Sequence, residues 1–304
     1  MSGICDGRVV VITGAGGGIG RAHALAYAAE GAKVVVNDLG GSRDGTGADA
    51  GAAQQVADEI VAAGGEAVAN TDDISDFTGA KNLIDQAVET YGDLHTVVNN
   101  AGILRDKMMV NMDESMWDAV IKVHLKGTFG PAHHAAAYWR DQSKAGNQPD
   151  ARIVNTTSPS GLFGNVGQAN YGAAKAGIAA FSIISAMELG RYGVSVNAIA
   201  PVALTRMTED LAGFSGREQK EGEWDPFGPG NISPLVVWLG SNDSAAVTGR
   251  VFFVTGGTIA VAEGWVNGPS VDAGRQWEPG ELTEVIPDLV AKAAPNANMG
   301  GARA

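Results

Sequence analysis

Residues 8–20 read RVVVITGAGGGIG. A β-branched run feeds directly into a glycine-rich turn, and a helical period begins behind it. In 19–30 the small and apolar residues Ala22, Leu25, Ala26 and Ala29 fall on one helical face. Glycines at 14, 16, 18 and 20 let the backbone turn sharply and approach a pyrophosphate, and a helix opening at Ile19 offers its free N–H groups to that anion. In a chain with 43 glycines such a stretch is a weak signal by itself. Its place between the first strand and the first helix is what makes it a dinucleotide turn.

The same alternation continues outward. Strands are expected at 33–37 (KVVVN), 66–70, 94–99 (LHTVVN), 152–157 (RIVNTT), 194–200 (VSVNAIA) and 250–254 (RVFFV). Helical stretches occupy 48–63, 77–91, 113–142, 168–192 and a short segment from Ser233, with a bend expected near Gly130 and Pro131. Continuous apolar strands alternating with helices describe a parallel sheet covered on both faces, a doubly wound α/β domain. Two segments break the rhythm: 39–47 (LGGSRDGTG), read as a surface loop, and 202–230, read as a lid. Residues 1–257 form the expected nucleotide-binding domain. Residues 258–304 form an extension, packed on the domain or on a neighbouring subunit, with one helix near 281–294 and a disordered tail.

At 304 residues, 45% of them hydrophobic, the chain can fill one α/β core. A net charge of −13 argues against nucleic acid and anionic membranes as partners. The lone Cys5 permits neither an intrachain disulfide nor a cysteine zinc site, and no metal-ligand spacing is present. The start has no basic segment followed by an apolar one, and no run approaches the roughly 18 apolar residues of a membrane span. A cytoplasmic protein is expected.

The second strand ends in Asn37-Asp38. An acidic side chain there accepts bonds from the adenosine ribose and repels a 2′-phosphate, which favours NAD over NADP. The plain alternative is a turn former, and Arg43 is the residue that would upset the preference. Asp73-Ile74 follows the third strand and Asn99-Asn100-Ala101-Gly102 the fourth, at the strand ends where open α/β sheets bind ligands.

Tyr171 and Lys175 stand four apart in a helical stretch and share a face, thirteen residues after Ser158 at the end of the fifth main strand. Together they suit carbonyl–alcohol interconversion. A tyrosine with pKa about 10 is too weak a base at neutral pH. A neighbouring ammonium and a positive nicotinamide ring would both favour its phenolate. Ser158 would hold the substrate oxygen.

These motifs, Thr13-Gly14-x-x-x-Gly18-x-Gly20, Asn99-Asn100-Ala101-Gly102, Ser158, Tyr171 and Lys175, resemble the short-chain dehydrogenase/reductase family over residues 7–257. The resemblance implies a Rossmann-type domain with a seven-stranded parallel sheet, hydride transfer to or from NAD(P), and a homo-oligomer, dimer or tetramer. A narrower likeness lies in VVVNDLGG (34–41), NNAGILRDKMM (99–109), KVHLKGTF (122–129), GLFGNVGQANYGAAKAG (161–177), NAIAPVALTRMT (197–208) and SPLVVWL (233–239). It is similar to the (3R)-hydroxyacyl-CoA dehydrogenase part of peroxisomal multifunctional enzyme type 2, also known as 17β-hydroxysteroid dehydrogenase type 4. That implies NAD-linked oxidation of a 3-hydroxyacyl-CoA in fatty-acyl or steroid side-chain breakdown. A hydroxysteroid dehydrogenase without CoA, or a non-catalytic dinucleotide sensor, are the rivals.

Two departures from the wider family stand out. His124 occupies the place of an asparagine that helps hold a proton-path water, and its plain alternative is a helix-kink residue bonding a backbone carbonyl. Pro201-Val202-Ala203-Leu204-Thr205 replaces the usual Pro-Gly, with Pro201, Val202 and Thr205 the residues expected at the cofactor. For a CoA 3′-phosphate the candidate cations are Arg105, Lys107 and Arg206.

Overall fold

The computed structural model describes residues 3–47, 51–205 and 223–303. Seven strands run parallel: β1 (Val9–Thr13), β2 (Lys33–Asn37), β3 (Glu66–Asn70), β4 (Thr96–Asn99), β5 (Ala151–Thr156), β6 (Val194–Val202) and β7 (Val251–Thr255). An eighth, β8 (Thr258–Ala262), pairs antiparallel with β7. The order is β3-β2-β1-β4-β5-β6-β7-β8. The sheet thus has eight strands where seven were expected. The added strand falls in the segment read as an extension, and a two-residue turn at Gly256-Gly257, with Gly256 at φ +50°, folds it back. It carries the apolar run Ile259–Ala262, but it is an edge strand and exposed along most of its length.

The helices are α1 (Gly18–Ala29), α2 (Gly51–Ala62), α3 (Phe77–Tyr91), α4 (Glu114–Ile121), α5 (Gly127–Lys144), α6 (Pro159–Phe163), α7 (Ala169–Leu189), α8 (Ser233–Gly240) and α9 (Leu282–Lys292). Side-chain alternation along each strand divides the core into two layers. Val10, Ile12, Val34 and Val36 pack with Ala24, Tyr27, Ile60 and Leu235 on one face. Val9, Val11, Val35 and Val97 pack with Leu83, Ile84, Ala135 and Trp139 on the other. Both faces are covered, which is why β1 and β2 read as unbroken Val/Ile runs.

The long helical region expected at 113–142 is divided into α4 and α5. Helix α5 runs through Pro131, and the irregularity is a π turn at Lys122–Lys126. A proline crowds the carbonyl four residues back, here Gly127, and the widened turn ends at that residue and absorbs the displacement. Helix α7 with its C-terminal turn, 169–192, is long and apolar enough by composition to cross a bilayer. It instead lies on β5 and β6 and buries Lys175. In the tail, Ala297 bridges to Arg303 and Gly301 rests on the Phe163 ring. The loop 39–47 lies on the segment after β4: Leu104 N–H donates to the Arg43 carbonyl at 3.0 Å, and Arg105 Nε to the Asp44 carbonyl at 2.9 Å. Most of the segment read as a lid, 206–222, lies outside the described residues.

Candidate active site

The sheet changes direction between β1 and β4, and the crevice beyond their C-terminal ends is where such folds take ligands. The glycine turn forms one lip. Gly14 has φ +65°, and a Cβ there would stand 2.7 Å from the Ala101 Cα. A Cβ on Gly16 would stand 2.9 Å from the Asp38 carboxylate, and one on Gly20 would strike the Gly14 carbonyl. The turn, Asp38 and the segment after β4 are therefore in mutual contact only because these positions lack side chains. Gly16 N–H donates to Asp38 Oδ2 at 2.8 Å, and Gly40 N–H to Oδ1 at 2.7 Å. Asp38 is thus fixed at the lip with acceptor capacity left on both oxygens.

The other lip is tied in from β1. Thr13 Oγ1 accepts from Asn100 N–H at 3.0 Å and Ala101 N–H at 3.1 Å, and Asn100 Nδ2 donates back to the Thr13 and Gly14 carbonyls. Asn99 Nδ2 donates to Asn155 Oδ1 at 2.9 Å, which bridges β4 to β5. Gly102 abuts the His124 ring. Helix α1 opens at Gly18, one residue before the expected start, with Ile19 in its first turn. Pro201 and Val202 end β6, which runs two residues beyond the expected stop at 200, and Thr205 comes to 3.5 Å from a Cβ built on Gly18. Asp73 Oδ1 accepts from the Ser75 N–H and hydroxyl. Ile74 is buried against Gly127, and its side chain belongs to the core. Bare backbone at the helix start beside a fixed carboxylate fits a dinucleotide, with pyrophosphate on the turn and ribose at Asp38.

At the end of β5, Ser158 caps the short helix α6 by accepting the Ser160 N–H at 3.2 Å. Tyr171 and Lys175 project from α7 toward it. Lys175 Nζ donates to the Thr156 carbonyl at 2.6 Å and stands 5.6 Å from the Tyr171 ring centroid. Burial brings the Lys175 ammonium down to about 7. Burial also pushes the Tyr171 hydroxyl up to about 12, with the hydrogen bond to Ser158 opposing and the Asp106 carboxylate adding to the rise. Desolvation thus outweighs the help expected from the lysine. The chain's own groups keep Tyr171 protonated at neutral pH.

His124 sits in the π turn, 1% exposed. Its Nε2 lies 3.1 Å from Ile103 N and 2.8 Å from Ile103 O, so in either neutral tautomer that nitrogen is tied to one backbone residue. Burial, then Lys175, hold its pKa well below the usual range. The kink-residue alternative is what this geometry realises. Burial raises the Asp106 carboxyl, and the Gln168 bond and the Arg43 charge oppose that rise, so the Arg43 charge acts at Asp106. Arg206 lies outside the described residues. Asp106, Gln168 and Asn170 form a further layer that the sequence motifs contained without assigning a role. Buried polar side chains on a helix start were the available signal.

A family model described as short chain dehydrogenase matches residues 8–213. Hydroxyacyl-CoA dehydrogenase ChsB1 of Mycobacterium tuberculosis is 45% identical over 305 residues, spanning 97% of this chain and 92% of that protein. Peroxisomal multifunctional enzyme type 2 of Mus musculus is 42% identical over 254 residues, covering 84% of this chain and 32% of the mouse protein. Among solved structures, a short chain dehydrogenase from Mycobacterium avium superposes with a TM-score of 0.87. It is 57% identical and covers 97% of this chain and 98% of its own.

Proposed function

The chain belongs to the short-chain dehydrogenase family, and on that premise we propose that it oxidises a 3-hydroxyacyl-CoA to the 3-ketoacyl-CoA with NAD, in fatty-acyl or steroid side-chain breakdown. As a family member it is an oxidoreductase working with a nicotinamide dinucleotide. The observation that carries the reaction is the meeting of Ser158, Tyr171 and Lys175 beside the dinucleotide crevice. The substrate class rests on the 45% identical hydroxyacyl-CoA dehydrogenase, matched over nearly both full lengths.

Ser158 and Tyr171 together hold the substrate oxygen. In oxidation Tyr171 removes the hydroxyl proton while the carbinol carbon loses hydride. In reduction the protonated Tyr171 returns that proton to the new alkoxide. When bound, the oxidised cofactor accepts the hydride and adds a positive ring that lowers the cost of the phenolate. Lys175 supplies further positive charge in its protonated form and donates to the Thr156 carbonyl. Asp38 selects NAD, because a 2′-phosphate would meet its carboxylate. Arg105 and Lys107 line an open cavity of about 760 Å³ together with Arg43, and they supply local positive charge for CoA phosphates on an otherwise acidic protein. The enzyme acts in the cytoplasm as a homo-oligomer, with 258–304 as an extension of a 1–257 catalytic domain.

A spectrophotometric screen for NADH formation tests the substrate class, offering 3-hydroxyacyl-CoAs of several chain lengths beside free hydroxysteroids. Turnover confined to the steroids would replace the CoA reading. Tyr171→Phe tests the chemistry: kcat falls about 10³-fold while NAD binding persists. A variant keeping most of its kcat would remove Tyr171 from the role.

A further inference from the structure

Gln168 immediately precedes α7 and occupies its N-cap position, yet its side chain makes no capping bond. It is 5% exposed and fully engaged elsewhere. Its Nε2 donates to Asp106 Oδ2 at 2.7 Å. Its Oε1 accepts from Ser160 Oγ at 2.7 Å and from Asn165 Nδ2 at 2.9 Å. The backbone repeats the connection: Lys107 N–H donates to the Gly167 carbonyl at 2.8 Å, and Lys107 and Gln168 form a parallel bridge. Two residues on, the fully buried Asn170 donates from Nδ2 to the Arg105 carbonyl at 3.0 Å and the Met116 carbonyl at 3.2 Å.

Three segments therefore converge on one amide. The segment after β4 arrives through Asp106. The turn carrying Ser158 arrives through Ser160, whose N–H binds Ser158 Oγ. The first turn of α7, carrying Tyr171, begins at Gln168 itself. A helix start often uses its N-cap side chain to satisfy a free N–H. Here that side chain is diverted to a buried network. Buried hydrogen bonds of this kind fix the relative placement of the segments they join, and breaking one leaves further polar atoms unpaired.

We propose that Asp106 and Gln168 are positioning residues that clamp Ser158 and Tyr171 at the spacing required to share one substrate oxygen. The proposal rests on the Ser158–Tyr171–Lys175 reading above. Asp106 touches no reacting atom; it acts through Gln168. Its carboxylate is half-buried: Oδ2 is held by Gln168, and Oδ1 is buried with no hydrogen-bond partner among the described residues.

Donor and acceptor can be exchanged across this pair, which gives the test. Gln168→Glu sets two carboxyls against each other and breaks the clamp. Asp106→Asn alone still accepts from Gln168. The double variant, Asp106→Asn with Gln168→Glu, restores the bond with reversed polarity, the introduced amide donating to the introduced carboxylate. Initial rates with NAD and (3R)-3-hydroxybutanoyl-CoA or (3R)-3-hydroxydecanoyl-CoA are measured for all three, beside Gln168→Met and Tyr171→Phe. Gln168→Glu and Gln168→Met lose on the order of 10²-fold in kcat with KM for NAD little changed, as a misplacement near 1 Å predicts. The double variant recovers most of the loss over Gln168→Glu. Amide exchange at Lys107 and Gly172, which needs no substrate, quickens in Gln168→Glu and slows again in the double variant. Gln168→Glu with wild-type kcat, or a double variant no better than that single change in both kcat and exchange, overturns the clamp. If Tyr171→Phe is inactive while Gln168→Met is fully active, the clamp alone fails; if Tyr171→Phe turns over, the catalytic reading fails.

Discussion

The His124 ring stands edge-on to the Tyr171 ring, with centroids 5.1 Å apart and planes at 89°. The contact joins the π turn at Lys122–Lys126 to the face of α7 that carries Tyr171 and Lys175. Its third member is Gly102, whose Cα lies so close to the imidazole that any side chain would collide with it. The segment Asn100-Ala101-Gly102 thus meets the cofactor crevice on one side and the tyrosine's support on the other.

Gly102→Ala should therefore impair catalysis by displacing His124. Overpacking a filled site costs about 1–3 kcal/mol. We expect kcat to fall at least about tenfold with a lower melting temperature. His124 is held neutral by burial, so the wild-type pH–rate profile should contain no limb that disappears in His124→Gln. Wild-type kcat in Gly102→Ala would show that the ring and the tyrosine are not coupled.

The fold was legible because central strands buried on both faces read as continuous Val/Ile runs, as in Val9–Thr13 and Lys33–Asn37. Strand β8 was not, since an edge strand with Ile259 and Val261 half exposed carries neither a clean alternation nor a buried run. The site motifs were legible because glycines and the Tyr–Lys pair have fixed spacing. The pKa of Tyr171 was not, because spacing shows a neighbouring lysine but not how far the fold desolvates the pair. The buried Arg8 and Arg152, both paired to Asp150 at the opposite end of the sheet, were equally hidden. Each looks in sequence like an ordinary surface charge.

Asp38 should govern the choice of dinucleotide. Its carboxylate is oriented by the Gly16 and Gly40 N–H groups, which leaves it aimed at the crevice. A hydrogen bond to a charged group contributes about 1.5–3 kcal/mol. Asp38→Ala should raise KM for NAD by roughly one to two orders of magnitude and relax discrimination against NADP. Steady-state kinetics with both dinucleotides decide it. A wild-type enzyme with higher kcat/KM for NADP would contradict the role given to this carboxylate.

Lys175 should oppose folding at neutral pH while serving catalysis. Its ammonium falls to about 7 in the folded chain from an ordinary value of 10.5, through burial. Between those values the unfolded chain binds one more proton than the folded one, so stability rises with pH across that window. Below it the penalty is fully present. Lys175→Met removes the titration, at the loss of the bond to the Thr156 carbonyl. The variant should be inactive, and its melting temperature relative to wild type should be highest near pH 7 and decline toward pH 10. The span is on the order of a few kcal/mol. A difference independent of pH would mean that the lysine is not desolvated.

The outer face of α7 predicts assembly. Ala174, Lys175, Ile178, Ser182 and Ala186 face inward and are buried. Ile183, Ile184 and Met187 face outward and are 40%, 53% and 80% exposed, which is why the helix reads as apolar all round. The patch continues onto α5 through Phe129, stacked on Phe77 at 6.0 Å and edge-on to Phe181 at 6.3 Å. The extension joins the sheet at β7 through β8, where Ala262 packs in the cluster of Ala179, and its tail reaches Phe163, while Ile183, Ile184 and Met187 stay exposed. Among the described residues this stripe has no cover. The same helix of a second copy, across a two-fold axis, presents a self-complementary surface. Sedimentation equilibrium at micromolar concentration should return a dimer or tetramer, and Met187→Glu should shift it toward smaller species by placing two carboxylates near the axis. A wild-type protein that sediments as a stable monomer would leave the stripe without this partner and remove the basis for the dimer.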